Sequence, residues 1–104
     1  MKLMYNVTIS IDSAVEEKWK EWMISTHIPD VMSTGKFLHY SMQKVLAGDP
    51  DEGVTYAVHY VAASRELYDK YQQEDAQRLK ADHQRIFGGY FAAFRTLMEV
   101  VSHS

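Results

Sequence analysis

Residues 37–62 read Phe37-Leu-His-Tyr-Ser-Met-Gln-Lys-Val-Leu46, then Ala47-Gly-Asp-Pro-Asp-Glu-Gly53, then Val54-Thr-Tyr-Ala-Val-His-Tyr-Val-Ala62. The flanks alternate and the middle is dense in turn formers. In the first flank Leu38, Tyr40, Met42 and Leu46 share a face, with His39, Ser41 and Gln43 opposite. In the second, Val54, Tyr56, Val58 and Tyr60 oppose Thr55, Ala57 and His59. A period of two on both sides of a turn predicts a half-buried antiparallel hairpin. If Leu46 faces Val54, then Tyr40 faces Tyr60, Met42 faces Val58 and Lys44 faces Tyr56. The same register sets Ser41 opposite His59 and Gln43 opposite Ala57. A slip of one residue would mix the polar and apolar faces, so the pattern selects this register. It also makes His39 and His59 diagonal neighbours, about 7 Å apart.

Upstream, Met4–Ile11 alternates in the same way. Tyr5, Val7, Ile9 and Ile11 oppose Asn6, Thr8 and Ser10, which predicts a first strand. Ser13 and Glu16 have capping-box spacing. Val15, Trp19, Trp22 and Met23 then recur at helical spacing, and the Lys and Glu residues between 16 and 21 fill the solvent face. Pro29 weakens that helix and starts a short turn through Val31 and Met32, and Gly35 ends the region. Downstream, Ser64 caps a second helical region whose apolar side is Leu67, Tyr68, Tyr71, Ala76, Leu79, His83, Ile86 and Phe87. Gln72 to Asp75 marks a break with Asp75 as a new cap, and Gly88-Gly89 is the stop. Residues 90–101 form the last strand. Tyr90, Ala92, Phe94, Thr96, Met98 and Val100 share one face, and Phe91, Ala93, Arg95, Leu97 and Glu99 share the other.

The order β-α-β-β-α-β predicts one α+β domain over 1–104 with the ferredoxin-like plan. Right-handed crossovers put both helices on one face of a four-stranded antiparallel sheet in the order 4-1-3-2. The 104 residues are 46% hydrophobic, enough for a packed core. A formal net charge of −3 offers no general attraction to phosphate backbones or anionic lipid. The absence of cysteine excludes disulfides, thiolate metal sites and thiol nucleophiles. No signal-peptide pattern or membrane-spanning run is present, so the expected compartment is the cytoplasm, with no membrane and no nucleic-acid partner.

The sheet face away from the helices is expected to collect Asn6, Thr8, Ser10, His39, Ser41, Gln43, Thr55, His59, Arg95 and Glu99. Phe37, Val45, Val61, Phe91, Leu97 and Val101 are expected around them. A polar centre with an apolar margin suits face-to-face packing of two copies, so a homodimer through this open face is expected. The same topology serves RNA-recognition domains, but those need exposed aromatics on the central strands. Here those positions hold Asn6, Thr8, Ala57 and His59.

Three blocks carry a family resemblance. They are Trp19-x-x-Trp22-Met23-x-x-x-His27-Ile28-Pro29-Asp30-Val31-Met32-x-x-Gly35-x-Phe37, Gly53-Val54-Thr55-Tyr56-Ala57-Val58-x-Tyr60, and Phe87-Gly88-Gly89-x-Phe91-x-Ala93-Phe94-Arg95-Thr96-Leu97. In this order they resemble the bacterial family known as domain of unknown function 4286. The resemblance implies a dimeric α+β barrel, the superfamily of antibiotic-biosynthesis monooxygenases, muconolactone isomerases and polyketide cyclases. Thr26-His27-Ile28-Pro29 is also similar to the Thr-His-x-Pro string that ends the first helix in the EthD-type group. One departure is Glu74-Asp75-Ala76, where the family pattern has Glu-His-Ala, so this chain lacks that histidine.

For chemistry, His27 is the candidate general base, because its unperturbed pKa lies near working pH. Asp30 is close enough in sequence to orient it. Arg95 is the candidate anchor for an acidic or enolate-like substrate. His39, His59, Asn6 and Thr8 are the candidate substrate contacts. Two histidines fall short of a zinc set, so no metal is expected, and no cofactor-binding motif is present. The expected function is a homodimer that binds a small molecule between sheet and helices. The expected chemistry is that of a cofactor-independent isomerase, cyclase or monooxygenase. The alternative is a non-catalytic dimerisation or ligand-sensing module.

Overall fold

In the computed structural model, which describes residues 1–48 and 53–104, the hairpin forms in the register read above. Strand β2 (His39–Lys44) pairs antiparallel with β3 (Val54–Ala62), with Tyr40 opposite Tyr60, Met42 opposite Val58 and Ser41 opposite His59. Most of the expected turn over 47–53 lies outside the described residues. β1 (Leu3–Ile11) pairs with β3 on one side and with β4 (Phe91–Glu99) on the other. The sheet order is β2-β3-β1-β4, the expected 4-1-3-2 in reverse.

The first crossover differs from a simple capped helix. Asp12 caps it, with Oδ1 accepting from the Ala14 N–H at 2.9 Å, and a short 3-10 turn (Ser13–Val15) follows. The expected Ser13/Glu16 capping box does not form, because the sheet holds Glu16 instead. Its Oε2 accepts from the Tyr56 hydroxyl at 2.7 Å and pairs with Lys44 Nζ at 3.2 Å. Helix α1 (Glu16–Trp22) then widens into a π segment (Met23–His27) before α2 (Ile28–Ser33). Within it the Ile28 N–H donates five residues back, to the Met23 carbonyl. Pro29 has no N–H for the ordinary ladder, so the wider turn carries the chain past it without a break.

The second crossover is α3 (Arg65–Glu74) and α4 (Ala76–Phe87). Ser64 caps α3 as expected, its Oγ accepting from the Leu67 N–H at 3.2 Å. The break falls at Asp75, whose side chain does not cap α4. Its carboxylate is taken by Lys36 Nζ at 2.8 Å and lies 3.5 Å from Arg78.

Trp19, Met23, Ile28 and Val31 from the first crossover and Leu79 from the second lie buried on Ile9, Ile11 and Val58. Burying each such side chain contributes about 1.5–3 kcal/mol. The helices cover β1 and β3 better than β2. Tyr40, on the β2 face turned toward the helices, is therefore 45% exposed, and Leu46, past the end of β2, is 92% exposed. Phe37, expected on the open face, is buried instead. It lies before β2, where strand alternation no longer applies, and it packs on Tyr60 and Tyr71 with ring centroids 5.2 and 4.8 Å away.

The largest correction concerns β4. Ile11 pairs with Phe91, Ile9 with Ala93, Val7 with Arg95, Tyr5 with Leu97 and Leu3 with Glu99. Directly paired residues share a face, so these β4 side chains stand on the helix side. The open face receives Ala92, Phe94, Thr96 and Met98 instead. The segment has apolar residues at both parities, so alternation alone left its orientation undetermined.

Candidate functional site

The chemistry-bearing residues are divided by the sheet. His27 and Arg95 are on the helix side, where they line one cavity. Asn6, Thr8, His39 and His59 are on the open side. Asn6 pairs with His59 across β1 and β3, and His39 lies diagonally from His59 across β2 and β3. The expectation that Arg95 joins these four around one substrate is corrected by the β1–β4 register.

Two of the residues that line the cavity, His27 and His83, belong to a stack of rings. The π segment presents His27 to Trp22, with centroids 5.0 Å apart and planes at 27°. Trp22 also stacks on His83 of α4, at 5.6 Å and 29°. The two imidazoles are 5.7 Å apart. His83 is 5% exposed and its ring meets the Phe91 ring edge-on at 3.9 Å. The fully buried Trp19 donates its indole N–H to His83 Nε2 at 2.8 Å. That bond makes Nε2 an acceptor and leaves the proton of the neutral ring on Nδ1.

Both histidines are held neutral. Burial pushes His27 down to about 4, the nearby Arg95 charge adds to the fall, and Asp30 and Asp82 oppose it. Burial likewise pushes His83 down to about 4, with His27 and Arg95 acting in the same direction. Asp30 is exposed and acts on His27 through space. No hydrogen bond joins the two among the described residues. Burial also raises the hydroxyl pKa values of Tyr5, Tyr60 and Tyr71, which line the same cavity.

The cavity is small, about 30 Å³. A water takes about 10–15 Å³ on this scale, so two water-sized groups fit. Its floor is apolar, with Ile9, Met23, Val31, Val58 and Leu79 all buried. Its exposed lining residues are Lys80 and Arg95, which mark the mouth. His83, Lys80 and Trp22 were not read from the sequence as site residues. His83 continues the apolar stripe of Leu79 and Phe87, and Lys80 reads as solvated charge. The available signal was the aromatic crowding at 19 and 22.

The open face keeps a polar centre. Asn6 Nδ2 donates to Thr8 Oγ1 at 2.9 Å, while Asn6 Oδ1 is enclosed without a partner among the described residues. Beside it stands Phe94, opposite Thr8 and 71% exposed, with Met98 farther along β4. Among the described residues no cluster of three or more His, Asp or Glu is arranged to hold a metal ion. None of their helices is long and apolar enough to cross a membrane.

A family model described as "Domain of unknown function (DUF4286)" matches residues 2–101. No curated protein matches the chain at a significant level. Among solved structures, a dimeric ferredoxin-like protein from an uncultured marine organism superposes with a TM-score of 0.74 at 15% identity, over 99% of this chain and 98% of that one. An ethyl tert-butyl ether D family protein from Bacillus halodurans gives 0.68 at 12% identity, over 93% and 97%. A variant of SnoaB, a cofactor-independent oxygenase from Streptomyces nogalater, gives 0.67 at 9% identity, over 98% and 95%. At these identities the likeness is one of fold.

Proposed function

The chain belongs to the DUF4286 family, and we propose that it is a homodimer that binds a small molecule in the cavity between sheet and helices. The second copy packs on the open sheet face, and the bound molecule undergoes proton transfer without a cofactor. The observation that carries this reading is the pair of neutral histidines, each stacked on Trp22, at a cavity with an apolar floor and a charged mouth. In this reading a proton leaves an acidic carbon of the ligand for an imidazole nitrogen of His27. The electron pair stays on the ligand as an enolate, and the proton returns at another carbon to complete an isomerisation. Cyclisation would start from the same enolate, and oxygenation would require molecular oxygen as co-reactant.

The dimer is supported by the exposure of Phe94 and Met98 and by likeness to a protein described as dimeric. Asn6, Thr8, His39 and His59 then serve as polar contacts between the sheets. A cytoplasmic location belongs to the same reading, checked by fractionating cells that express the tagged protein.

The second reading, ligand sensing without turnover, is favoured by the depth of the His27 shift. A base with a pKa of about 4 is weak, because proton abstraction works best when the pKa lies near operating pH. One experiment addresses both. The protein is purified from its host and the bound small molecules are identified by native mass spectrometry, then each is incubated with enzyme in deuterated water. Deuterium incorporation that is lost in His27→Phe supports catalysis. A bound molecule without exchange supports sensing, and a protein that carries no ligand counts against both.

A further inference from the structure

Every charged residue that lines the cavity is a cation. Arg95 and Lys80 stand at its mouth, and among the described residues no Asp or Glu lines it. Neither cation makes an ion pair among the described residues, although seven of the other lysines and arginines do. We propose that the cavity takes a small monoanion, a short-chain carboxylate or enolate, with its apolar end inward and its charge between Arg95 and Lys80. This rests on the reading of the cavity as a ligand site and adds the charge and size of the ligand.

The chemistry of the lining follows the same logic. The apolar floor rejects charge, and the volume of about 30 Å³ suits a tail of two or three carbons. At the mouth the two cations disfavour each other. Burial and then the Arg95 charge lower the Lys80 pKa. An anion between them relieves that repulsion and gains charge-assisted hydrogen bonds from a guanidinium whose fork matches a carboxylate. It also changes the histidines. His27 faces Arg95 from β4, Asp82 and His83 from α4, and Asp30 from its own segment. His83 faces His27 and Arg95. A bound anion screens Arg95 and adds negative charge, so both imidazoles become easier to protonate.

The test uses butyrate and its uncharged isostere butyramide on the intact protein, at ionic strength held constant with sodium chloride. The readouts are the ring ¹H–¹³C NMR signals of His27 and His83 and their pH titrations. Butyrate should shift both rings, raise both pKa values, and bind at least tenfold more tightly than butyramide. Arg95→Met and Lys80→Met should each lose most of that preference and retain butyramide binding, with thermal melting confirming that they fold. If butyrate and butyramide shift the rings equally, the cavity is a ligand site and the charge assignment is wrong. If neither shifts them, the cavity is not a ligand site and this inference falls with the reading it rests on.

Discussion

At the scale of single residues, His83 joins the core to the candidate chemistry. Its Nε2 is the acceptor for the buried Trp19 indole N–H. Trp19→Phe keeps most of the ring volume but leaves a buried acceptor unsatisfied, which costs about 1–3 kcal/mol. Adding His83→Phe should recover part of that loss, because the unpaired group is then gone. Urea denaturation of the two single variants and the double variant measures the coupling, and simple additivity would count against the bond. The acid response has a definite sign. Both histidines titrate near 6.5 when unfolded and near 4 when folded. Between those values the unfolded chain binds more protons, so acid favours unfolding. The contribution is complete above about pH 6.5 and is lost as pH falls toward 4. From pH 7 to pH 5 the loss from His83 is about 2 kcal/mol, and it is smaller from the more exposed His27. His83→Phe should flatten this part of a stability-against-pH curve measured by chemical denaturation. His27 was legible in the sequence because a lone histidine before Pro29 draws notice. His83 was not, since its position in the Leu79–Phe87 stripe has the pattern of ordinary core.

At the scale of elements, local signals were legible where one parity of a strand is apolar. The β2–β3 register followed from Tyr40, Met42, Tyr56, Val58 and Tyr60 alone. β4 was not legible, because Phe91, Phe94, Leu97 and Met98 occupy both parities and only pairing with β1 decides which face is buried. The capping box failed for a related reason. Glu16 has the right spacing, but Tyr56 and Lys44, distant in sequence, compete for its carboxylate. The hairpin's own entry point is testable. Gly53 has φ +95, and an added Cβ would sit 2.9 Å from the Ile11 carbonyl oxygen. Gly35 has φ +75 but open space around it. Both Gly→Ala changes place a side chain in the left-handed region, which costs about 1–2 kcal/mol. Gly53→Ala must also move backbone, so it should lower the thermal midpoint clearly more than Gly35→Ala. Equal shifts would mean that the β1–β3 contact gives way freely.

At the scale of the whole molecule, one sheet carries two different surfaces. The helix side holds the cavity, and the open side holds Phe94 beside the polar centre. An exposed aromatic side chain there brings substantial apolar area to a partner, and placing a carboxylate in its stead would oppose its own copy across a two-fold interface. Phe94→Asp should therefore shift the mass measured by light scattering after size exclusion from twice the chain mass to the chain mass, at micromolar concentration. A wild-type protein that is already monomeric under those conditions would remove the dimer from the proposed function. Because neighbouring residues on β4 point to opposite faces, Phe94 and Arg95 belong to different sites. The monomeric variant should thus keep the butyrate-induced shifts of His27 and His83 within about twofold of the wild-type affinity. This outcome separates two kinds of dimer. If the shifts survive, each protomer owns its complete cavity and the interface only pairs them. If they vanish while circular dichroism and melting stay native, the second copy shapes the mouth at Arg95, and the functional unit is the dimer itself.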